Sequence, residues 1–534
     1  MTTDTKPDGT PTVWTYFEAK TAKFKDALTP QKMMLFVILV VAFVQGVISL
    51  ADLSVSYLYK DDYHMSPAEV AVAQGITGLP WIIKPVWGMI SDNIPLFGYR
   101  RKSYLLCGGI LAAMCYFLLS TFTTTAYFGV CLLLSASVCG AFNSVIAEAL
   151  IVESAQNNNK REDLTEEDRQ SAASNNVSFF FGVKSIGVLI SAYAGGWLLG
   201  YVSKYTVFYI TMMFPLIAGL SSWLLPEKKI RKANANAPRD IEIVAHSPTS
   251  SDASEQNHYA HEETRFLNED HESEVPVNNA TENWSKITTF ISNPLIYKPV
   301  VFIFIFCITP STGSAMFFYY TNQLGFTTEF MGEIQLASAL ASILGIWIFN
   351  RYFKNTSFIK IFVWSAIICT IANLSQIVLV TGFNRQFGIS DKMFCLTGNL
   401  LIQVFAELNI IPVLVLACRL CPKNVEGTMY ALLMAILNLG SMISNELGAF
   451  NTWALGITET NFTNLWILIL IASLTTVLPL PFIGMIDFDE AVKMSEAKER
   501  NSVLTPEERD RIRATISEKQ EEIEAQDKPV YSTI

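Results

Sequence analysis

Between residues 33 and 486 the chain passes repeatedly through about 20 or more apolar residues, and few folds accommodate that pattern. The hydrocarbon core of a bilayer is about 30 Å thick, so a helix needs about 20 residues to cross it. Polar punctuation delimits twelve such stretches: 33–59, 67–90, 103–122, 126–151, 171–200, 203–225, 297–320, 327–350, 357–381, 391–418, 425–450 and 463–486. The 534-residue chain is 51% hydrophobic but only 16% charged, whereas soluble domains carry about 25% charged residues. Short segments of alternating polarity, the mark of an outer-membrane barrel, are missing. The reading is an all-α, multi-pass membrane protein.

A hydrophilic stretch after the sixth span divides the twelve evenly. The expected organisation is an N-terminal segment (1–32), a first six-helix bundle (33–225), a linker (226–288), a second six-helix bundle (289–486) and a tail (487–534). Basic residues in short loops mark the cytoplasmic side. One set of loops carries Arg100, Arg101, Lys102, Lys160, Arg161, Arg169, Arg351, Lys354, Arg419 and Lys423; the other carries Lys60, Lys204, Arg385 and Lys392. The first set, both termini and the linker are therefore expected in the cytoplasm. The N-terminal segment lacks the layout of a cleaved signal, so the first span is expected to act as its own insertion signal.

Several function classes are excluded. Much of the acid behind the net charge of −10 lies in the linker and tail, and neither suggests nucleic-acid binding. The nine cysteines lie in or beside apolar spans, which disfavours a disulfide framework. Cys418 and Cys421 have zinc-like spacing but no second pair nearby, so no metal site is expected. No Walker-type phosphate loop or nucleophile–base pattern occurs, so neither an enzyme nor a bound cofactor is expected. The linker is too polar to bury a core, and holds His246, His258, His261 and His271; it reads as a solvated tether.

What remains is charge inside the spans, which is costly there and marks a functional site by default. Lys84 stands in Pro80-Trp81-Ile82-Ile83-Lys84-Pro85, where prolines open the helix and free carbonyls suited to a polar cavity. It can attract an anionic substrate or pair with acids; the competing reading is snorkelling to the nearer surface. Lys184, between Gly182 and Gly187 in the fifth span, is too deep for that and is expected to meet substrate or a buried carboxylate. Glu148, Glu407 and Asp52 are the matching acids. A carboxylate in a low-dielectric cavity has its pKa raised, and can take up and release a proton as access alternates. Glu407, near the middle of the tenth span, is the best placed for coupling. Glu148 lies nearer the cytoplasmic end, Asp52 nearer the outer end, and Glu446 late in the eleventh span. For each, structural pairing is the alternative.

Two segments go further. Gly88-Met89-Ile90-Ser91-Asp92 followed by Gly98-Tyr99-Arg100-Arg101-Lys102 resembles the loop between the second and third helices of major facilitator transporters. Together with Tyr57-Leu58-Tyr59 and Gly78-Leu79-Pro80-Trp81, and with Cys421-Pro422-Lys423-Asn424-Val425-Glu426-Gly427-Thr428-Met429-Tyr430 and the following Asn438 and Ser441, it resembles the folate–biopterin transporter family. Asn424 departs from the glycine of many members. The resemblance implies the major facilitator fold and alternating-access transport of folate or pteridines such as biopterin, coupled to protons. It implies substrate contacts from Lys84, Lys184, Glu148 and Glu407. Proton coupling would fall to Glu407, Glu148 or Asp52, and a cytoplasmic gate to Asp92, Arg100, Arg101 and Glu153. Another metabolite such as S-adenosylmethionine, or a non-transporting receptor or scaffold, stays open. The plasma membrane is the default setting, with plastid or vacuolar membranes as alternatives.

Overall fold

The computed structural model describes residues 30–122, 125–159, 166–227, 229, 294–353, 356, 358–420 and 426–485. The terminal segments, the linker beyond Lys229, Cys421, and the side chains of Asp92, Glu153 and Cys418 lie outside the described residues.

The apolar stretches are helical, as their length and the obligation to satisfy backbone groups in lipid require. The first comprises α1 (Pro30–Val47), a 3-10 turn (Ile48–Ala51), α2 (Asp52–Tyr57) and a π-helical turn (Leu58–Asp62). The second is broken into α3 (Pro67–Ile82) and α4 (Lys84–Asn93). Next come α5 (Lys102–Thr121), α6 (Ala126–Asn159), α7 (Glu166–Tyr201), and the pair α8 (Lys204–Thr211) and α9 (Met213–Ser221). The seventh is also broken, into α10 (Pro294–Cys307) and α11 (Gly313–Phe318), and ends in a π-helical turn (Tyr319–Gln323). α12 (Thr328–Ile348), α13 (Phe358–Val380), α14 (Asp391–Leu420), α15 (Glu426–Ala454) and α16 (Leu465–Val477) complete the order. Among the described residues, nine helices are long and apolar enough to cross a membrane. The broken second and seventh stretches are not among them. No strand forms among the described residues beyond a bridge of Leu96 with Tyr99 after α4.

The first and seventh stretches end alike. In each a π-helical turn is closed by two wide backbone bonds, Tyr63 N to Leu58 O (3.1 Å) and Met65 N to Tyr59 O (3.0 Å), matched by Leu324 N to Tyr319 O (3.0 Å) and Phe326 N to Tyr320 O (2.9 Å). His64 and Gly325 occupy the same place with φ of +49° and +63°. A hydroxyl cap then starts the next helix: Ser66 accepts from Glu69 N at 3.3 Å, and Thr327 from Phe330 N at 3.4 Å. The chain thus repeats itself where the residues scarcely do.

At the end bearing Ser66 and Thr327, apolar clusters join the early and late helices: Leu53 and Tyr57 pack with Met316, Tyr319 and Phe330, and Phe318 packs with Leu58 and Phe208. There Gly196 of α7 meets Gly332 of α12 so closely that any Cβ would collide with the opposing backbone. Toward the end bearing Arg100 and Arg351, the described residues form further clusters. Val37, Ile38, Leu105 and Ile151 form one; Phe302, Ile303 and Phe362 form another; Phe349, Ile361 and Leu408 form a third. Large apolar side chains such as Met114, Trp364 and Ile371 face outward, as lipid contact allows.

Candidate functional site

The site begins with the break in the second stretch. Pro85 has no N–H, so Trp81 loses the donor its carbonyl would have found in an unbroken helix. Ile83 leaves helical geometry (φ −90°, ψ 19°), and α4 starts at Lys84. Side chains reach the carbonyls around the break. Trp87 Nε1 donates to Pro80 O (2.9 Å), and Ser137 Oγ, from α6, to Thr77 O (2.6 Å).

Lys84 points into this opened region and is 5% exposed. Its Nζ lies 2.6 Å from Glu148 Oε1 and 3.2 Å from Ser144 Oγ, both on α6. Ser144 Oγ in turn donates to Glu148 Oε1 at 3.0 Å, closing a triangle. The Trp81 ring lies 5.4 Å from the ammonium, and Trp81 Nε1 donates to Ser137 Oγ at 3.1 Å. An ammonium so placed is paired, hydrogen-bonded and backed by a ring face, which is how a buried cation becomes tolerable. Glu148 keeps 32% of its side chain accessible. Lys184, on α7, lies within electrostatic range of both Lys84 and Glu148. Lys84 alone pairs with Glu148 among the described residues, and Lys184 adds a second cation to the electrostatic surroundings of that pair.

The other acids lie elsewhere. Glu407, on α14, accepts from Gln403 Nε2 at 3.2 Å; the same nitrogen donates to Ser342 Oγ on α12 at 2.9 Å. Its Cβ packs against Gly345. Among the described residues, no hydrogen bond or ion pair links Glu407 to the Lys84 cluster. Asp52, on α2, is exposed and makes no ion pair among the described residues; Tyr116 of α5 lies within its electrostatic range. Glu446 packs its carboxylate against Gly75 of α3. Sequence reading missed Ser144 and Gln403, although each stands one helical turn before its acid, where side chains share a face.

At the corner between α4 and α5, Arg101 Nη1 donates to Ser91 Oγ at 2.7 Å. The acid that organises this corner is Glu227, after the sixth stretch. Its carboxylate accepts from the backbone N–H groups of Arg100 (2.6 Å), Arg101 (3.1 Å) and Lys102 (2.8 Å), capping the start of α5. Lys102 Nζ reaches the Trp223 carbonyl at 3.2 Å.

The profile of the BT1 family matches residues 45–504. The chain belongs to the BT1 family. A relative from Synechocystis sp., named a folate-biopterin transporter, is 35% identical over 88% of this chain and 84% of its own. Folate transporter 1 of Plasmodium falciparum is 32% identical, covering 83% and 77%. Among solved structures, the nucleoside transporter NupG superposes with a TM-score of 0.55 at 14% identity, over 85% of this chain and 98% of that one. A D-xylose–proton symporter gives 0.55 at 12%, over 85% and 97%. The fold is that of the major facilitator transporters, and the family and its named relatives are transporters rather than enzymes.

Proposed function

We propose that this BT1-family chain is a secondary active transporter that moves folate or an unconjugated pteridine such as biopterin by alternating access, driven by protons. The observation that carries the reading is the Lys84–Glu148–Ser144 triangle at a helix break, a buried ammonium paired with a partly accessible carboxylate and with Lys184 in electrostatic range. The glutamyl carboxylates of folate suit the two lysines. The donor–acceptor edge of a pterin suits a carboxylate such as Glu148 or Glu407, and its flat ring suits Trp81. A cationic substrate would have to separate Glu148 from an ammonium 2.6 Å away.

In this reading the Arg100 end faces the cytoplasm. The bridging clusters at the Ser66 end then correspond to a closed outer side. Segments 33–225 and 289–486 rock about the site, tethered by 226–288, in the plasma membrane or, alternatively, a plastid or vacuolar one. Glu407, with no cation beside it among the described residues, is the coupling acid; Glu148 and Asp52 are its alternates. The Arg100–Arg101 corner, with Asp92 and Glu153, is the gate. Purified protein in liposomes tests this directly. Accumulation of labelled folate or biopterin, increased by an inward proton gradient, is expected; absence of both in vesicles holding folded protein would sink the reading.

A further inference from the structure

Both broken helices owe their breaks to proline, and both lean on the same neighbour. Pro85 strips the Trp81 carbonyl of its helical donor, and Pro310 does the same to Phe306. The second loss is repaired locally, by Thr309 Oγ1 donating to Phe306 O at 3.1 Å. The first is repaired from across the molecule: Asn438 Nδ2, on α15, donates to Trp81 O at 3.1 Å. Farther along α15, Ser444 Oγ donates to Thr309 O at 2.5 Å, and the Ser444 carbonyl accepts from Ser311 N at 3.0 Å. Gly448 allows this contact, because any Cβ there would strike the Ser311 carbonyl. One helix therefore satisfies the exposed backbone of both breaks.

We infer that α15 couples the two breaks, with Asn438 as the positioning residue that ties the second stretch to the late helices. The inference rests on the transport reading. The hinge at Ile83 lies between Trp81 and Lys84, so the bond from Asn438 holds the start of the hinge that carries Lys84. A buried carbonyl without a donor is as costly as a lost hydrogen bond. The Asn438 bond therefore weights the state seen here against its alternate, while the Ser444 bonds hold α15 to the seventh stretch.

Full-length protein carrying Asn438→Ala, Pro85→Ala or both tests the inference by folate binding in detergent, folate uptake in liposomes, and spin–spin distances. The labels, introduced as non-natural amino acids, sit at Phe97 and Tyr352, which are 73% and 63% exposed at the Arg100 end. Asn438→Ala is expected to leave folate affinity within about twofold. It should lower the uptake rate and shift the balance of the two distance populations about tenfold, equivalent to about 1.4 kcal/mol. Pro85→Ala returns an N–H to the Trp81 carbonyl, so adding Asn438→Ala to it should change little further. A folded Asn438→Ala protein with wild-type uptake and distances overturns the inference, as does full additivity of the two substitutions. Asn438→Leu, similar in size and without a donor, reads the same loss if the alanine variant folds poorly. If the wild type takes up no folate, the transport reading fails; shifted distances then still support the coupling, and unshifted distances overturn it.

Discussion

Lys84 and Glu148 are partners with unequal surroundings, so the two ways of separating them have unequal consequences. Their side chains are 6% and 32% accessible across a 2.6 Å contact. Glu148→Gln strands an ammonium in near-complete burial, with Ser144 Oγ still 3.2 Å away. Breaking a buried pair in that way costs about 3–5 kcal/mol. Lys84→Met strands a carboxylate that is about a third open, still accepting from Ser144 at 3.0 Å and still near Lys184. Solvent and the second lysine screen it, so the cost falls toward the ~1 kcal/mol of an exposed pair. Thermal unfolding of the purified protein in detergent should rank wild type above Lys84→Met, and Lys84→Met above Glu148→Gln. The double variant should recover to Lys84→Met or better. Transport should follow a different order. A hydrogen bond from a charged donor contributes about 1.5–3 kcal/mol, so Lys84→Met should weaken folate binding roughly 10-fold to 150-fold. Glu148→Gln and Lys84→Met of equal stability, or a Lys84→Met protein with wild-type folate affinity, would refute the reasoning.

Other outcomes follow from the same geometry. Glu407→Gln should abolish stimulation by a proton gradient while leaving folate counterflow intact; a gradient response of normal size would remove Glu407 from coupling. Glu227→Ala should leave the N–H groups of Arg100, Arg101 and Lys102 without their acceptor, costing about 1–3 kcal/mol. Hydrogen exchange at those amides should speed up, and unchanged protection would refute the cap. Gly332→Leu should force α7 and α12 apart at the Ser66 end. Substrate access from that side should rise and net uptake fall; unaltered uptake would show the close approach to be dispensable.

Much of the architecture was readable because lipid imposes it. Length and apolarity located the helical stretches to within a few residues, with α6 and α7 running beyond their expected ends at 151 and 171. The break at Ile83 was announced by Pro80 and Pro85. The break at 308–312 was not, because Pro310 lies within a stretch otherwise apolar enough to read as continuous. Among charged residues, Lys84, Lys184 and Glu148 stand out individually, but which acid meets which lysine depends on how α4, α6 and α7 pack. Ser144, Gln403 and Glu227 are polar residues of ordinary type, and only distance reveals what each one holds. The repeat between the first and seventh stretches was nearly illegible for a related reason. It resides in backbone bonds, which many side chains can accompany, and in a positive φ held by Gly325 but by a histidine at 64, which carries no glycine signal.

The most direct test of the account is an experimental structure of the purified protein with folate bound. The account predicts the ligand beside the break at Ile83, with a glutamyl carboxylate within hydrogen-bonding distance of the Nζ of Lys84 or Lys184 and the pterin ring near Trp81. Folate bound with its carboxylates away from both lysines would contradict it, as would the absence of bound folate from well-ordered particles at saturating concentration.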